Sequence, residues 1–356
     1  MKRIFDLDQS PFMVAWETTQ TCEPDYCLMT GQPERDPLEL NSAEAEKMIR
    51  DVAALRPPVF ALTGGAPLER EDIYSLVCYA ASCDLHPILV LSASPQLTRN
   101  AMVELKNAGL SRVGLILDGS EPEVHDAIHG EGAFSRTADA IRWANEFRLP
   151  LQVHTAVCRR NLGELEKIAA LLSTHRVLLW SVSFPVLRHQ EVLTAEETEH
   201  AFARLYRLAR LVPFKIKTAE APHYRRYVLQ QRARVNTARA AIEDGIPGVM
   251  PVAEGRGSIF ITNTGEIYPS ACLPVSAGNV RTNSLAEIYR ESDVFQSLRD
   301  PSRLHGKCGR CNFKEICGGS RSRALALAGD MFAEDSSCVY EPPAMARPQE
   351  SSPKAL

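Results

Sequence analysis

Short apolar runs recur through the first two thirds of the chain, each followed by a helical pattern, and this alternation constrains the fold most. The runs lie at 12–16, 59–62, 88–91, 113–117, 151–157 and 177–184. Helical patterns lie near 71–82, 98–108, 135–147 and 163–174, and an earlier one starts after Asn41, with Ala45, Met48, Ile49 and Val52 as its apolar face. Strands and helices alternating every roughly 25–35 residues predict βαβ units around a parallel sheet. Six such strands make a partial, open (β/α)6 barrel within the α/β class rather than a closed eight-stranded one. Right-handed crossovers to a neighbouring position predict a strand order that follows the sequence.

Composition narrows the function classes. Forty basic residues against 44 acidic ones give a net charge of -4, so no overall positive field exists to hold nucleic acid or an anionic membrane. No apolar run reaches the roughly 18 residues of a membrane-spanning helix, and Met1-Lys2-Arg3-Ile4-Phe5-Asp6 lacks a leader's apolar stretch. A cytoplasmic location is expected, and nothing in the sequence specifies an oligomeric state. In that reducing compartment ten cysteines point away from a disulfide framework. Cys78 and Cys83, on or just past a helix with Ile73, Leu76 and Val77, are expected to be small core residues. Cys158 lies beside Arg159-Arg160, where a lowered pKa competes with simple packing. His154 shares a strand face with Gln152, either lining the barrel lumen or hydrogen-bonding within it.

The last quarter is organised around cysteines. A hairpin is predicted over 258–268 with Gly265 at its turn, and Cys272 follows directly. Cys308-x2-Cys311-x5-Cys317, with Cys338 a further 21 residues along, lets thiolates from one turn face a single metal site. Read from the residues alone, four cysteines suit either zinc or an iron–sulfur cluster. Residues 226–255 read as a connector and 343–356, rich in Pro, Ser and charge, as a disordered tail.

In parallel α/β folds chemistry gathers where strands end. Those ends read Thr18-Thr19-Gln20-Thr21-Cys22 through Cys27, Thr63-Gly64-Gly65-Ala66-Pro67, Ser92-Ala93-Ser94 and Leu117-Asp118-Gly119. Together with His125-Asp126-Ala127-Ile128-His129-Gly130 and Ala221-Pro222-His223-Tyr224-Arg225-Arg226, they resemble the radical SAM superfamily, in particular SPASM-containing members that remodel haem precursors. The resemblance implies a [4Fe–4S] cluster in a C-x3-C-x2-C loop. In that family S-adenosylmethionine binds the fourth iron and is cleaved to a radical that abstracts hydrogen from substrate. It also implies that Gly64, Gly65 and Asp118 are remnants of the cofactor site, and Cys22 and Cys27 remnants of the cluster loop.

The sequence departs from that pattern at its most demanding point. Counted from Cys22, the family's next cysteines fall on Tyr26 and Met29; counted back from Gln32-Pro33, Cys27 takes the third place and the middle one is missing. Two thiolates leave two irons of a cubane without protein ligands, so the S-adenosylmethionine cluster is not expected to assemble. Ala66 replaces an acidic residue expected to meet the cofactor's ammonium group, Ile116 stands where a serine is usual, and His129 replaces an arginine. For the C-terminal cysteines the resemblance implies one SPASM-type [4Fe–4S] cluster on Cys308, Cys311, Cys317 and Cys338, with Cys272 as the alternative to Cys338. The expected organisation is a barrel over 1–225, the connector, a small α+β SPASM-like cysteine domain over 256–342, and the tail. The function implied is action on a small molecule, tetrapyrrole or peptide. The alternatives are a non-catalytic binding or partner protein that keeps only the C-terminal cluster, or a structural zinc protein.

Overall fold

Strands β1 (Met13–Glu17), β2 (Val59–Thr63), β3 (Pro87–Leu91), β4 (Arg112–Ile116), β5 (Leu151–Ala156), β6 (Val177–Ser183) and β7 (Lys215–Ala219) pair in parallel, each with its sequence neighbour. The structure is a computed structural model that describes residues 6–21, 34–186, 191–235 and 252–342. Helices α1 (Ser42–Leu55), α2 (Ile73–Ser82), α3 (Arg99–Asn107), α4 (Pro122–His129), α5 (Ala133–Glu146), α6 (Leu165–Ser173), α7 (Ala195–Leu208) and α8 (His223–Val235) lie in the crossovers and after β7. Strands β1, β2 and β5 alternate between buried and half-buried residues. Val14 and Trp16, Phe60 and Leu62, and Leu151 and Val153 are buried beneath helices, whereas Ala15, Ala61, Gln152 and His154 face the partly open lumen. Helix α1 starts at Asn41, whose side chain accepts from the Glu44 amide while Glu44 returns the bond, and buries Ala45, Met48, Ile49 and Val52.

Three features go beyond the sequence reading. A seventh parallel strand, β7, closes one edge; its Lys-Ile-Lys-Thr-Ala carries too few apolar residues to register as a buried run. Strand β8 (Ser258–Ile261) pairs in parallel with β1, Met13 opposite Ser258 and Trp16 opposite Ile261, so the C-terminal hairpin extends the barrel sheet. Strand β9 (Ile267–Tyr268) returns antiparallel through Gly265, at φ +89°. The third is a correction: Cys78 is exposed, because the buried stripe of α2 runs through Ile73, Leu76, Val77 and Ala80 and Cys78 falls beside it. Cys83 is half-buried against the core.

The C-terminal segment is also tied to the start of the chain. Phe12 and Met13 amides donate to the Gly257 carbonyl at 2.9 and 3.0 Å. Tyr289, fully buried, accepts from the Gly257 amide at 2.9 Å and donates to the Leu7 carbonyl. Most of the predicted connector and the whole predicted tail lie outside the described residues. No helix among the described residues is long and apolar enough to cross a membrane.

A chain truncated after residue 255 loses β8 and leaves the inner edge of β1 unpaired along with Trp16. It should lose the cooperative urea transition of the full-length protein when followed by circular dichroism; an intact transition would show that the barrel stands without its C-terminal strand.

Candidate metal centre

Cys308, on the short helix Gly306–Gly309, and Cys311, Cys317 and Cys338 all line one open cleft. Backbone amides point at the sulfurs. Phe313 donates to Cys311 Sγ, Gly319 to Cys317 Sγ and Asp335 to Cys308 Sγ, each at 3.4 Å, and the Tyr340 amide serves Cys338. Gly319 lies at φ +69°, and a Cβ there would stand 3.1 Å from Cys308 Sγ and 2.8 Å from Asp335 Cβ. Burial raises the thiols of Cys308 and Cys338 and pushes Cys317 up to about 12. As free groups these thiols stay protonated at neutral pH; a metal centre would supply the positive charge that holds them as thiolates. Arg321 Nη2, 3.9 Å from Cys308 Sγ, and Arg226 and Lys307 near Cys338 add cationic charge. Among the described residues, no three His, Cys, Asp or Glu side chains group around the position of a single ion. The four thiols share one cleft, and four soft donors with amide hydrogen bonds fit an iron–sulfur cluster.

Cys272 is not on this cleft. Its thiol is raised first by burial and then by Glu220 and Glu254, which places it beside those carboxyls instead. Glu220 is itself raised to about 8 by burial and by Glu254.

The cleft is fastened to the barrel by charges that the sequence reading passed over. Arg323 Nη1 meets both Asp335 carboxylate oxygens at 3.2 Å, and its Nη2 donates to the carbonyls of Phe184 at 3.2 Å and Glu220 at 3.0 Å, at the ends of β6 and β7. Asp335 also accepts from the Ser320 amide at 2.8 Å and the Ser337 amide at 3.0 Å. Burial works to raise its pKa, but His223, Arg323 and these amides hold the carboxyl below its ordinary value. His223, at the start of α8, lines the cleft with its ring against Phe202, centroids 4.8 Å apart. Burial pushes it down to about 4, against the pull of Asp335. The one sequence signal for His223 is its place in Ala221-Pro222-His223-Tyr224-Arg225-Arg226.

At the barrel rim, Gly64 lies at φ +136°, where a Cβ would fall 2.3 Å from the Thr19 carbonyl oxygen. Gly65 donates to that carbonyl at 2.9 Å and Ala66 to the Thr21 carbonyl at 2.7 Å, so the glycine turn cradles the chain leading towards Cys22. Cys22 and Cys27, with Tyr26 and Met29, lie outside the described residues. Buried Glu39 accepts from Thr19 Oγ1 at 2.7 Å, the Gln20 amide at 3.1 Å and Asn263 Nδ2 at 3.3 Å, fixing the same stretch from the other side. The Asp118 carboxylate, 1% exposed as a residue, accepts from the Ala156 amide at 2.6 Å and meets His129 Nε2 at 2.7 Å. It braces the rim from beneath, and His129 fills the partner's place there.

The lumen carries a polar row in register, with His154 beside Ser181 and Ser181 beside Lys217. Gln152 Nε2 and His154 Nε2 are 3.0 Å apart, so His154 both faces the lumen and bonds within it. Burial and Lys217 push His154 down to about 4. Burial raises the Cys158 thiol despite the neighbouring arginines, which turn to Glu191 and Glu197.

Comparisons with known proteins agree with this geometry. A family model of the radical SAM superfamily matches residues 23–172, and one of an iron-sulfur cluster-binding domain, SPASM, matches 253–312. The AdoMet-dependent heme synthase of Methanosarcina barkeri is 31% identical, over 94% of this chain and 98% of its own. The PqqA peptide cyclase of Rhodopseudomonas palustris is 29% identical, over 93% of this chain and 88% of its own. Streptococcus suis SuiB bound to S-adenosylmethionine superposes with a TM-score of 0.71 at 13% identity, over 93% of this chain and 78% of SuiB, and so shares the fold.

Asp335→Ala leaves Arg323 buried without its counter-charge and should destabilise the chain by about 3–5 kcal/mol in urea unfolding. Because the Asp335 carboxyl is held low in the fold, the stability it contributes is present above about pH 4 and fades as pH falls through the folded value. The variant should lack that part of the acid dependence.

Proposed function

Since the chain belongs to the radical SAM superfamily and carries its SPASM iron–sulfur domain, we propose that it is an iron–sulfur protein acting on a tetrapyrrole or peptide, whose S-adenosylmethionine cluster site is degenerate. The observation that carries this reading is the cleft where Cys308, Cys311, Cys317 and Cys338 each receive a backbone amide. One [4Fe–4S] cluster on these four cysteines accounts for them all, and Cys272 is left to the carboxyls of Glu220 and Glu254. When bound, such a cluster supplies one-electron transfer. The chain's own contribution is to exclude water from the sulfurs, to offset their charge with Arg321, Arg226 and Lys307, and to present the lumen's Gln152, His154 and Lys217 to a polar substrate.

Two features support a degenerate N-terminal site: the loop offers Cys22 and Cys27 where three cysteines are needed, and Ala66 stands where a carboxylate would meet the cofactor. Gly64, Gly65 and Asp118 then serve the backbone of the rim. In this reading 1–225 form the barrel, 256–342 the cluster-bearing part, and the protein works in the cytoplasm without nucleic acid. The two-cysteine loop also favours a second reading, in which the barrel binds its ligand or partner without turnover.

Anaerobically purified protein should contain about four irons per chain, little zinc, and a broad absorption near the visible edge that Cys317→Ala abolishes. Zinc without iron, or iron unaffected by Cys317→Ala, would overturn the assignment. With S-adenosylmethionine and dithionite, mass spectrometry should find no 5′-deoxyadenosine beyond the amount of protein. Catalytic amounts that disappear in Cys22→Ala would restore a working N-terminal cluster.

A further inference from the structure

His223 lines the four-cysteine cleft with both ring nitrogens buried and unpartnered among the described residues. It is 0% exposed, and neither ring nitrogen has a hydrogen-bond partner among the described residues. Its Nδ1 lies 3.6 Å from Asp335 Oδ2, too far for a hydrogen bond. Asp335 does not need it, because Arg323 and the amides of Ser320 and Ser337 already supply its donors. A buried polar group left unmatched is costly, so an imidazole held against Phe202 and turned to the cleft is matched by what the cleft holds.

We propose that His223 donates a ring N–H, from Nε2, to the sulfur of the cluster held by Cys308, Cys311, Cys317 and Cys338, and so sets its reduction potential. The inference rests on the proposed cluster. A cluster whose four irons are all bound by thiolates offers the ring only sulfur acceptors, so the neutral imidazole presents its proton there. The nitrogen turned to Asp335 is free of any bond that would claim the proton. The cysteine sulfurs have amide donors of their own, one each, so His223 adds a further donor on the lining of the same cleft. A hydrogen bond to cluster sulfur stabilises the more negative, reduced state. His223 is thus a positioning and tuning residue, separate from the ligands.

The test compares wild type, His223→Phe and His223→Gln, each full-length and reconstituted anaerobically. Iron content reads the cluster assignment, and the reduction potential followed by electron paramagnetic resonance reads the inference. Iron should stay at the wild-type level in all three. The phenylalanine, which keeps the packing on Phe202, should lower the equilibrium constant for one-electron reduction about tenfold, a shift of 59 mV to more negative potential. The glutamine, which keeps an N–H, should recover part of it. An iron-replete His223→Phe with the wild-type potential would overturn the inference and leave the cluster standing, whereas wild type without iron would remove both. If His223→Phe does not hold iron, electron–nuclear double resonance on reduced wild type labelled with 15N-histidine decides. A weak nitrogen coupling with an exchangeable proton supports the hydrogen bond; no coupling, or the strong coupling of a nitrogen bound to iron, overturns it.

Discussion

The geometry of the C-terminal cleft depends on the buried pair Arg323 and Asp335, 3% and 0% exposed. Removing two such charges from water costs several kcal/mol each, and their mutual attraction offsets this only when the remaining donors and acceptors are also matched. Here nearly all are. Asp335 takes Arg323 and two amides, and the second guanidinium arm reaches two strand-end carbonyls. The same residue's backbone amide touches Cys308 Sγ. Asp335 therefore holds a cysteine through its main chain and, by way of Arg323, is tied to the barrel rim. The cleft cannot shift against β6 and β7 without uncovering a charge.

A second constraint comes from the sheet. With β8 laid against β1, the cysteine-bearing part shares the barrel's hydrogen-bond ladder, and Tyr289 pins both Gly257 and Leu7. Pairing residues about 245 apart in sequence closes a very long loop, which slows folding far more than it weakens the product. The outcome is one continuous nine-stranded sheet that carries both the strands around the lumen and the hairpin leading to the cleft.

What was legible in the sequence follows from where the physical signal lies. Six strands stood out because both their burial and their spacing are local, and the four cysteines because a tight C-x2-C has few structural uses. Strand β7 escaped because Lys215 and Lys217 occupy its lumen side, and an open lumen does not demand apolar residues. The β1–β8 pairing left no trace because parallel partners share no turn. Cys78 is exposed although it follows Val77 directly, because one residue along a helix turns a side chain off the stripe of Ile73, Leu76, Val77 and Ala80. Asp335 and Arg323 could not be singled out, and His223 only within its six-residue motif, since a buried charge has the same letter as a solvated one and only the fold supplies its partner.

The two ends of the molecule differ in how their polar groups are used, and this separates evidence for fold from evidence for chemistry. At the rim, Gly64 makes room for a carbonyl, Gly65 donates to it, and both oxygens of Asp118 are taken within the protein. Each has a complete structural reason to be what it is, so their resemblance to a cofactor site speaks for the shape of the barrel and is silent on whether a cofactor is used. At the cleft the accounts do not close. Burial raises the thiols of Cys308, Cys317 and Cys338, amides donate to the sulfurs, Arg321 reaches Cys308 Sγ, and His223 has two unmatched nitrogens among the described residues. Folding alone gives no reason to gather such groups. Unmatched hydrogen-bonding capacity around soft donors is the setting that the proposed cluster would complete, and it is the reason the proposal rests on the cleft and not on the rim.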